Sequence, residues 1–214
     1  MWRRSPSQEK LARAVIRAGI RDERLLQAFR EVPRAEFVPA DQVERAYLDV
    51  PLPIPHNQVT TQPSLVAKMI QALELEGGET VLEVGTGFGF QTALLSRLAG
   101  SVWSVERWPD VAAVARENLD QHGVENVEVE VGDGSEGLPD EAPFDAVLVS
   151  AAFPSVPKPL AEQVAPGGRL VQPVGPGWNE QVLQFVRGPN GLEPRRSITG
   201  ARFVRLYGKH GFGE

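Results

Sequence analysis

The sequence predicts an α/β fold with a Rossmann-like, mostly parallel sheet, flanking helices and an N-terminal helical extension. The main observation is the stretch Val81–Val84, an apolar run with one acidic residue, followed by Gly85, Gly87 and Gly89. Apolar runs of this kind are typical of buried parallel strands. A helical pattern follows the glycines, so their loop lies at a helix N-terminus, where α/β sheets bind nucleotide cofactors.

Two helices and a stiff loop are predicted before this sheet. Ser7 is a candidate N-cap for a helix over Gln8–Ala18, and Asp22 for a helix over Arg24–Arg30. The proline-rich stretch at residues 50–56 predicts an extended loop. Proline lacks a backbone donor and disfavours the helical region for the residue before it, so neither a helix nor a central strand fits there.

Helix and strand patterns then alternate, which indicates βαβ units. The last two predicted strands are expected to form a hairpin around a loop at residues 188–191. Further helices are predicted over Ser64–Leu75, Gln91–Leu98, Val111–His122 and Leu160–Val164. Seven strands are predicted, one from Thr80 and the others over Ser101–Val105, Val127–Val131, Phe144–Ser150, Arg169–Val174, Gln181–Arg187 and Phe203–Tyr207.

Three acidic residues, Glu83, Glu106 and Asp133, lie near the C-terminal ends of successive predicted strands. Ligands of open α/β sheets bind at that edge. Glu106 follows Gly85 by 21 positions, close to the ~20 expected for a carboxylate that binds ribose hydroxyls. Asp133 lies between two glycines and suits an acceptor for an adenine amino group. For each acid taken alone, a charged surface residue at a strand end is the alternative.

The glycine spacing helps to distinguish between cofactors. Gly85-x-Gly87-x-Gly89 is tighter than the dinucleotide pattern G-x-G-x-x-G. With an acidic residue two positions ahead, it resembles the first motif of Rossmann-like methyltransferases that use S-adenosylmethionine (SAM); a generic glycine-rich turn is the alternative. The resemblance implies SAM as cofactor, bound by Glu83, Gly85, Thr86, Gly87, Gly89, Glu106, Arg107, Asp133 and Gly134.

From roughly Arg34 to Phe212 the chain resembles the protein-L-isoaspartate O-methyltransferase family. The most particular matches are Ala46-Tyr-Leu-Asp-Val-Pro-Leu-Pro-Ile54 and the pair Ala151-Ala152 after the fourth core strand. The resemblance implies a seven-stranded, mostly parallel sheet and methylation of the α-carboxylate of L-isoaspartyl residues in damaged proteins. S-adenosylhomocysteine is the expected second product. The methyl ester then collapses to a succinimide, which opens partly to normal aspartate and so repairs the protein.

The family's active-site serine lies in the pattern Gly-x-Gly-Gln-Thr-Ile-Ser-Gln-Pro. This chain reads Pro55-His-Asn-Gln-Val-Thr-Thr-Gln-Pro63, so Thr61 takes the place of the serine and is the catalytic candidate. A helix cap before Pro63 is the alternative role for Thr61. His56 is either a substrate contact or a solvated loop residue. The resemblance implies substrate contacts at His56, Gln58, Thr60, Ala151 and Val204.

Several residues around the acceptor depart from the family pattern: Pro55, Asn57, Val59, Thr60 and, in the last predicted strand, Arg205. They leave open whether the acceptor is isoaspartyl or another peptide carboxylate. A non-catalytic SAM-binding protein is a further alternative. A nucleic-acid amino-methyltransferase would usually carry Asp/Asn-Pro-Pro-aromatic where this chain reads Ser150-Ala-Ala-Phe-Pro154. A carboxylate acceptor is already ionised at neutral pH, so the expected chemistry needs positioning and no general base.

The composition limits the number of domains, the cofactors and the partners that can be expected. The 214 residues are expected to form one methyltransferase domain, with N-terminal helices and acceptor loop at 1–75 and a cofactor-binding core at 76–214. The chain has no cysteine and three scattered histidines, so no disulfide and no metal are expected. A net charge of −6 argues against a nucleic-acid partner. Met1–Ser5 carries no apolar signal segment and no run is long enough for a membrane span, so a soluble, cytoplasmic protein is expected, as a monomer.

Overall fold

The computed structural model describes residues 5–176 and 179–213. The first four residues, on which the expectation about an N-terminal signal partly depends, lie outside the described residues. In the described ranges, none of the helices combines the length and the apolar character needed to cross a membrane.

Three N-terminal helices pack on one another: α1 (Pro6–Arg17), α2 (Glu23–Glu31) and α3 (Pro63–Gln71). α2 begins as predicted, because the Asp22 carboxylate accepts hydrogen bonds from the backbone of the first turn. α1 begins earlier than predicted: its N-cap is Ser5, not Ser7. Proline is favoured at the first helical position, and Pro6 therefore starts the helix one residue after the cap.

A seven-stranded sheet forms the core. Its strands are β3 (Thr80–Val84), β4 (Ser101–Glu106), β5 (Val127–Val131), β6 (Phe144–Val149), β7 (Val164–Val174), β8 (Glu180–Gly188) and β9 (Gly191–Ala201). They lie in the order β5-β4-β3-β6-β7-β8-β9. Neighbouring strands from β5 to β7 are parallel, and β8 is antiparallel to both of its neighbours. The predicted Rossmann-like, mostly parallel sheet is therefore confirmed.

Buried side chains alternate between the two faces of this sheet. On β3, Val81 belongs to the cluster that includes the N-terminal helices, and Leu82 belongs to the cluster on the other face. Alternation is a consequence of the strand's two-residue period. Three further helices cover the sheet: α4 (Phe90–Ser96), α5 (Pro109–Gln121) and α6 (Lys158–Glu162). The interior strand β3 thus presents Glu83 to the same face as Val81.

Two sequence predictions are corrected by the structure. The last strand is β9, not Phe203–Tyr207, where only isolated bridges form. The turn after Gly188 is so tight that Gly188 pairs directly with Gly191, and β9 starts at once. Most residues of β9 are polar, which suits an edge strand. The strand therefore lacks the apolar pattern by which strands are recognised in a sequence.

The proline-rich stretch is also not a simple loop. It forms a short strand, β1 (Leu52–Ile54), which pairs with β2 (Gln58–Thr60) in an antiparallel hairpin. A two-stranded ribbon outside the main sheet has open edges, so it tolerates a proline that a central strand would exclude. We call residues 52–60 the acceptor hairpin.

Candidate active site

A cavity of about 860 Å³ lies at the carboxyl ends of β3, β4 and β6. Because β3 lies between β4 and β6 in the sheet, this is the point where the strand order changes direction and where such sheets bind ligands. A second cavity of about 520 Å³ adjoins it. The residues that line both cavities are Val59, Thr60, Thr61, Ser150, Phe203 and Val204.

The glycine loop forms one wall of the larger cavity. Gly85 and Gly87 have φ values of 98° and 56°, which side chains with a Cβ rarely adopt. Thr86 also lines the cavity, and its hydroxyl lies 2.6 Å from Ser104 Oγ. Gly89 lies outside the cavity wall; with a φ of 92° it is the N-cap of α4, and a Cβ there would approach Leu119 to 3.5 Å.

Glu83 does not line the cavity but lies fully buried beneath the glycine loop. Its carboxylate accepts hydrogen bonds from Gln91 Nε2 at 2.9 Å, Thr92 Oγ1 at 2.5 Å and Ser104 Oγ at 2.6 Å. Burial raises the pKa of Glu83 to about 7, although these three hydrogen bonds act in the opposite direction. The geometry makes Glu83 a support for the loop, and a direct contact with cofactor stays a prediction.

The raised pKa of Glu83 predicts a pH-dependent stability. An unfolded glutamate ionises near 4.3, so the folded state holds the extra proton between about pH 4.3 and 7. The stability that this proton contributes is fully present below about pH 4.3 and is lost as the pH rises through about 7. Glu83→Gln removes the effect, so its unfolding free energy relative to wild type should rise by about 3 kcal/mol between pH 5 and 8.

Urea unfolding at several pH values measures this difference. Glu128→Gln, at an exposed position of β5, is the matched control and should follow the wild-type curve. If the free energies of unfolding of wild type and Glu83→Gln changed with pH in parallel across this range, Glu83 would be ionised throughout.

Glu106 lies at the end of β4 and lines the cavity, as predicted for a residue at that edge. Its two carboxylate oxygens accept hydrogen bonds from the backbone N–H of Gly87 at 2.9 Å and of Trp108 at 3.1 Å. Arg107 also lines the cavity, and its guanidinium lies over the rings of Trp108 and Tyr207. The carboxylate therefore fixes the glycine loop relative to the cavity wall that follows β4.

Asp133 is placed behind the cavity wall, to which Gly134 contributes. The Asp133 carboxylate accepts hydrogen bonds from the backbone and hydroxyl of Ser135 and from the backbone of Lys209. Partial burial acts against ionisation, but these donors outweigh it and lower the pKa of Asp133. At Gly134 a Cβ would collide with Val84, which explains the glycine. Asp133 therefore lies at the carboxyl edge of the sheet, as predicted from the sequence, and its contact with adenine stays a prediction.

His56 joins the acceptor hairpin to the start of α5. Its ring stacks on Trp108, with centroids 4.0 Å apart and planes 8° apart. Its Nε2 lies 2.9 Å from both carboxylate oxygens of Asp110. The hydrogen bond from His56 lowers the pKa of Asp110. His56 lines the cavity but is not a freely solvated residue, because its imidazole already contacts Trp108 and Asp110.

Arg34, which the sequence analysis did not select, anchors the other side of the acceptor hairpin. It is completely buried and donates hydrogen bonds to the carbonyl oxygens of Ala46, Leu48 and Val50 at 2.9–3.1 Å. It also donates to Thr60 Oγ1 at 3.0 Å, which accepts a second hydrogen bond from the backbone of β1. Burial lowers the pKa of Arg34 to about 10. Thr60 lines both cavities, and both lone pairs of its hydroxyl oxygen accept hydrogen bonds that hold the hairpin.

Thr61 lies where the two cavities meet, and the structure does not give it the role of a helix cap. The N-cap of α3 is Gln62, with no side-chain cap hydrogen bond. Asp49 instead caps the helix, because its Oδ1 accepts from the backbone N–H of Ser64 at 2.8 Å. Within the described part of the chain, the Thr61 hydroxyl has no hydrogen-bond partner.

The other predicted substrate contacts lie around this junction. Gln58 and Ala151 line the larger cavity, and Val204 lines both cavities. Gln58 Nε2 donates to the carbonyl oxygen of His56 at 3.0 Å, so part of its side chain shapes the hairpin turn. The carbonyl oxygen of Val204 accepts from the backbone of Ala152, which ties the segment after β9 to the end of β6. The structure therefore brings all five predicted contacts to one region.

Gln91 and Ser150 are among the cavity residues that the sequence did not indicate. Gln91 Nε2 donates to Glu83 and, at 2.9 Å, to Ser150 Oγ. Gln91 Oε1 is buried and has no partner among the described residues. An unpaired buried acceptor costs about 1–3 kcal/mol, so a ligand with a donor would be favoured here. No sequence signal indicated either residue, because Gln91 is simply the first residue of a predicted helix and Ser150 the last residue of a predicted strand.

The residues of the larger cavity fit SAM. The glycine loop leaves the space that a Cβ would fill, and Glu106 presents a carboxylate at the end of β4. Gln91 offers an unpaired acceptor beside that loop. No cluster of residues able to hold a metal ion occurs in the described ranges.

The sheet order, the glycine loop and the acid at the end of β4 define a class I, SAM-dependent methyltransferase fold. The family model described as Protein-L-isoaspartate(D-aspartate) O-methyltransferase (PCMT) matches residues 6–211. This chain belongs to the protein-L-isoaspartate O-methyltransferase family.

Relatives from bacteria agree with this membership. A protein from Anaeromyxobacter dehalogenans named protein-L-isoaspartate O-methyltransferase is 54% identical over 190 residues, covering 88% of this chain and 91% of the relative. One of the same name from Myxococcus xanthus is 50% identical over 196 residues, covering 90% and 92%.

Solved structures show the same architecture. A structure named protein-L-isoaspartate O-methyltransferase superposes with a TM-score of 0.86 at 29% identity, covering 95% of this chain and 67% of that one. A Plasmodium falciparum protein described as a putative member, crystallised with S-adenosyl-L-homocysteine, gives a TM-score of 0.81 at 20% identity, covering 95% and 99%. At that identity the second comparison supports the fold alone.

Proposed function

We propose that this chain transfers a methyl group from SAM to the free α-carboxylate of L-isoaspartyl residues in damaged proteins and peptides. The observation that carries the proposal is the meeting of two cavities at Thr61. The larger one is lined by the glycine loop and Glu106, and the smaller one lies between α3 and residues 199–204. Membership in the family and relatives of the same name at about half identity support the same activity.

In this proposal the larger cavity holds the cofactor. The loop Gly85–Gly87 approaches it closely, Glu106 accepts from its ribose hydroxyls, and Arg107 and Gly134 complete the wall. Glu83 and Gly89 act from beneath the loop, and Asp133 acts from behind Gly134. When bound, SAM supplies an electrophilic methyl group on a sulfonium.

The chain's own residues then have to position the acceptor. Its carboxylate is ionised at neutral pH, so no residue must remove a proton. Thr61 presents an uncommitted hydroxyl at the junction, which suits a donor to the carboxylate. The hairpin, held by Arg34 and His56, keeps that hydroxyl in place. Catalysis is then by proximity and orientation.

The proposal predicts discrimination between two peptides that differ only in one linkage. An L-isoaspartyl peptide should be methylated, and the rate for its aspartyl twin should be lower by a factor of roughly a hundred or more. That factor is the effect of one or two lost positioning hydrogen bonds. Both carboxylates are ionised, and the aspartyl carboxylate extends one methylene further from the main chain. Tritium transfer from labelled SAM measures both rates.

Equal labelling of the two peptides would contradict isoaspartyl specificity and favour a relative that methylates another peptide carboxylate. This outcome has a physical basis, because Pro55, Asn57 and Val59 alter the acceptor hairpin where the family pattern differs. Labelling of neither peptide, with SAM still bound, would indicate a non-catalytic SAM-binding protein.

We also propose that the enzyme works as a monomer with a single methyltransferase domain. Residues of the 1–75 region and of the 76–214 region together line each of the two cavities, which supports one functional unit. Its proposed place is the cytoplasm, where the cofactor and newly damaged proteins meet.

A further inference from the structure

Ser150 occupies the centre of the carboxyl edge. It follows β6 directly, and its backbone N–H donates to the carbonyl oxygen of Val84 at 2.9 Å. A Cβ on Gly85 would lie 3.4 Å from Ser150 Cβ, so the side chain lies against the first glycine of the cofactor loop. Ser150 lines both cavities, as Thr61 does. It is therefore in the wall where methyl donor and acceptor have to meet.

The hydroxyl of Ser150 is oriented by the buried network under the glycine loop. Gln91 Nε2 donates to Ser150 Oγ at 2.9 Å and to Glu83 Oε1 at 2.9 Å. An amide nitrogen only donates, so Ser150 Oγ acts as acceptor in this pair and keeps its own hydrogen for another partner. No described residue accepts that hydrogen.

We propose that Ser150 is a second hydroxyl donor that binds the acceptor carboxylate together with Thr61; this rests on the proposed methyltransferase function. A carboxylate has two oxygens and about four acceptor sites, so it can accept from both hydroxyls and still present a lone pair to the methyl group. Two donors at the cavity junction restrict the rotation of the acceptor carboxylate, which one donor alone would leave free to rotate.

The step requires no proton from either residue. Methyl transfer breaks the carbon–sulfur bond, whose electron pair stays on sulfur, and forms a carbon–oxygen bond with the carboxylate. The carboxylate becomes a neutral ester, so both serine and threonine keep their hydrogens. Because a hydrogen bond to a charged group is stronger than one to a neutral ester, the same hydroxyls release the product more readily than they hold the substrate.

Ser150→Ala tests the proposal, with Ser150→Thr as the conservative variant and Ser101→Ala as the matched control. Ser101 is at the opposite edge of the sheet, where its hydroxyl donates to Thr80. The measurements are SAM affinity by calorimetry, melting temperature, and the single-turnover rate on an isoaspartyl peptide per SAM-binding molecule. Counting only binding-competent molecules removes any effect of poorer folding.

We expect Ser150→Ala to bind SAM as wild type does and to lose roughly tenfold to a hundredfold in the single-turnover rate at saturating SAM and sub-saturating peptide, the effect of one hydrogen bond to a charged group. Ser150→Thr should restore most of the rate, and Ser101→Ala should equal wild type. With Thr61→Val added, the loss should be less than the product of the single losses, because both residues bind one group.

An unchanged rate in Ser150→Ala, while wild type methylates the peptide, would overturn this inference and leave the proposed function intact. A weaker SAM affinity with an unchanged rate at saturation would also overturn it, since Ser150 would then belong to the cofactor site. Absence of transfer by wild type would overturn the proposed function, and the inference with it.

Discussion

Replacing Arg34 by methionine should lower the free energy of unfolding by roughly 3–5 kcal/mol. The change leaves three carbonyl oxygens, those of Ala46, Leu48 and Val50, and the Thr60 hydroxyl without their common donor. Hydrogen bonds from a charged group contribute about 1.5–3 kcal/mol each. Against this, burial lowers the pKa of Arg34 to about 10, so methionine would recover about 3 kcal/mol of desolvation. The four hydrogen bonds outweigh that recovery.

Thermal and urea unfolding measure the effect, which for a chain of this length corresponds to a fall in Tm of roughly 6–20 °C. Arg45→Met is the control, because Arg45 is exposed on the same segment and bonds only to the neighbouring Gln42 among the described residues. It should stay within about 0.5 kcal/mol of wild type. If both variants unfolded alike, the buried guanidinium would have no special part in holding the acceptor hairpin.

Arg34 also gives the segment Ala46–Ile54, which carries much of the family resemblance, a structural role in this chain. Its alternate carbonyl oxygens converge on one guanidinium, and Asp49 between them turns the other way to cap α3. One segment therefore fixes both the hairpin and the helix that flank Thr61. The loss of activity in Arg34→Met should exceed the loss of SAM affinity, because the hairpin contributes more to the acceptor side.

The second large effect is expected for Thr61→Val, which should lower the single-turnover rate roughly tenfold to a hundredfold. Valine keeps the shape and stiffness of threonine but cannot donate a hydrogen bond. SAM affinity should be unchanged. The free energy of unfolding should stay within about 0.5 kcal/mol, because Asp49, not Thr61, caps α3.

Thr61→Ser is the matched control and should stay active, since it keeps the hydroxyl and restores the residue usual in the family. Melting temperature and single-turnover rate on the same three proteins separate a catalytic from a structural role. A Thr61→Val protein that melted early but methylated at the wild-type rate would remove this residue from the mechanism.

The sequence by itself determined the sheet, the cofactor loop and the edge at which the site lies. These follow from local patterns: apolar runs specify buried strands, and the positive φ values of Gly85 and Gly87 require glycine. Glu106 and Thr61 line the cavity, where a strand end and a family motif led us to expect them, and their roles stay predictions. Edge strand β9 was missed because its residues are polar and do not need to face a core.

Only the tertiary structure decided what each side chain contacts. Strand periodicity turns Glu83 away from the cavity and into a buried network, where desolvation raises its pKa. The roles of Arg34, His56 and Ser150 depend on partners 12 to 59 residues away along the chain. Such contacts cannot be predicted from the regular spacing of residues in a single sequence, because packing brings together segments whose local patterns are independent.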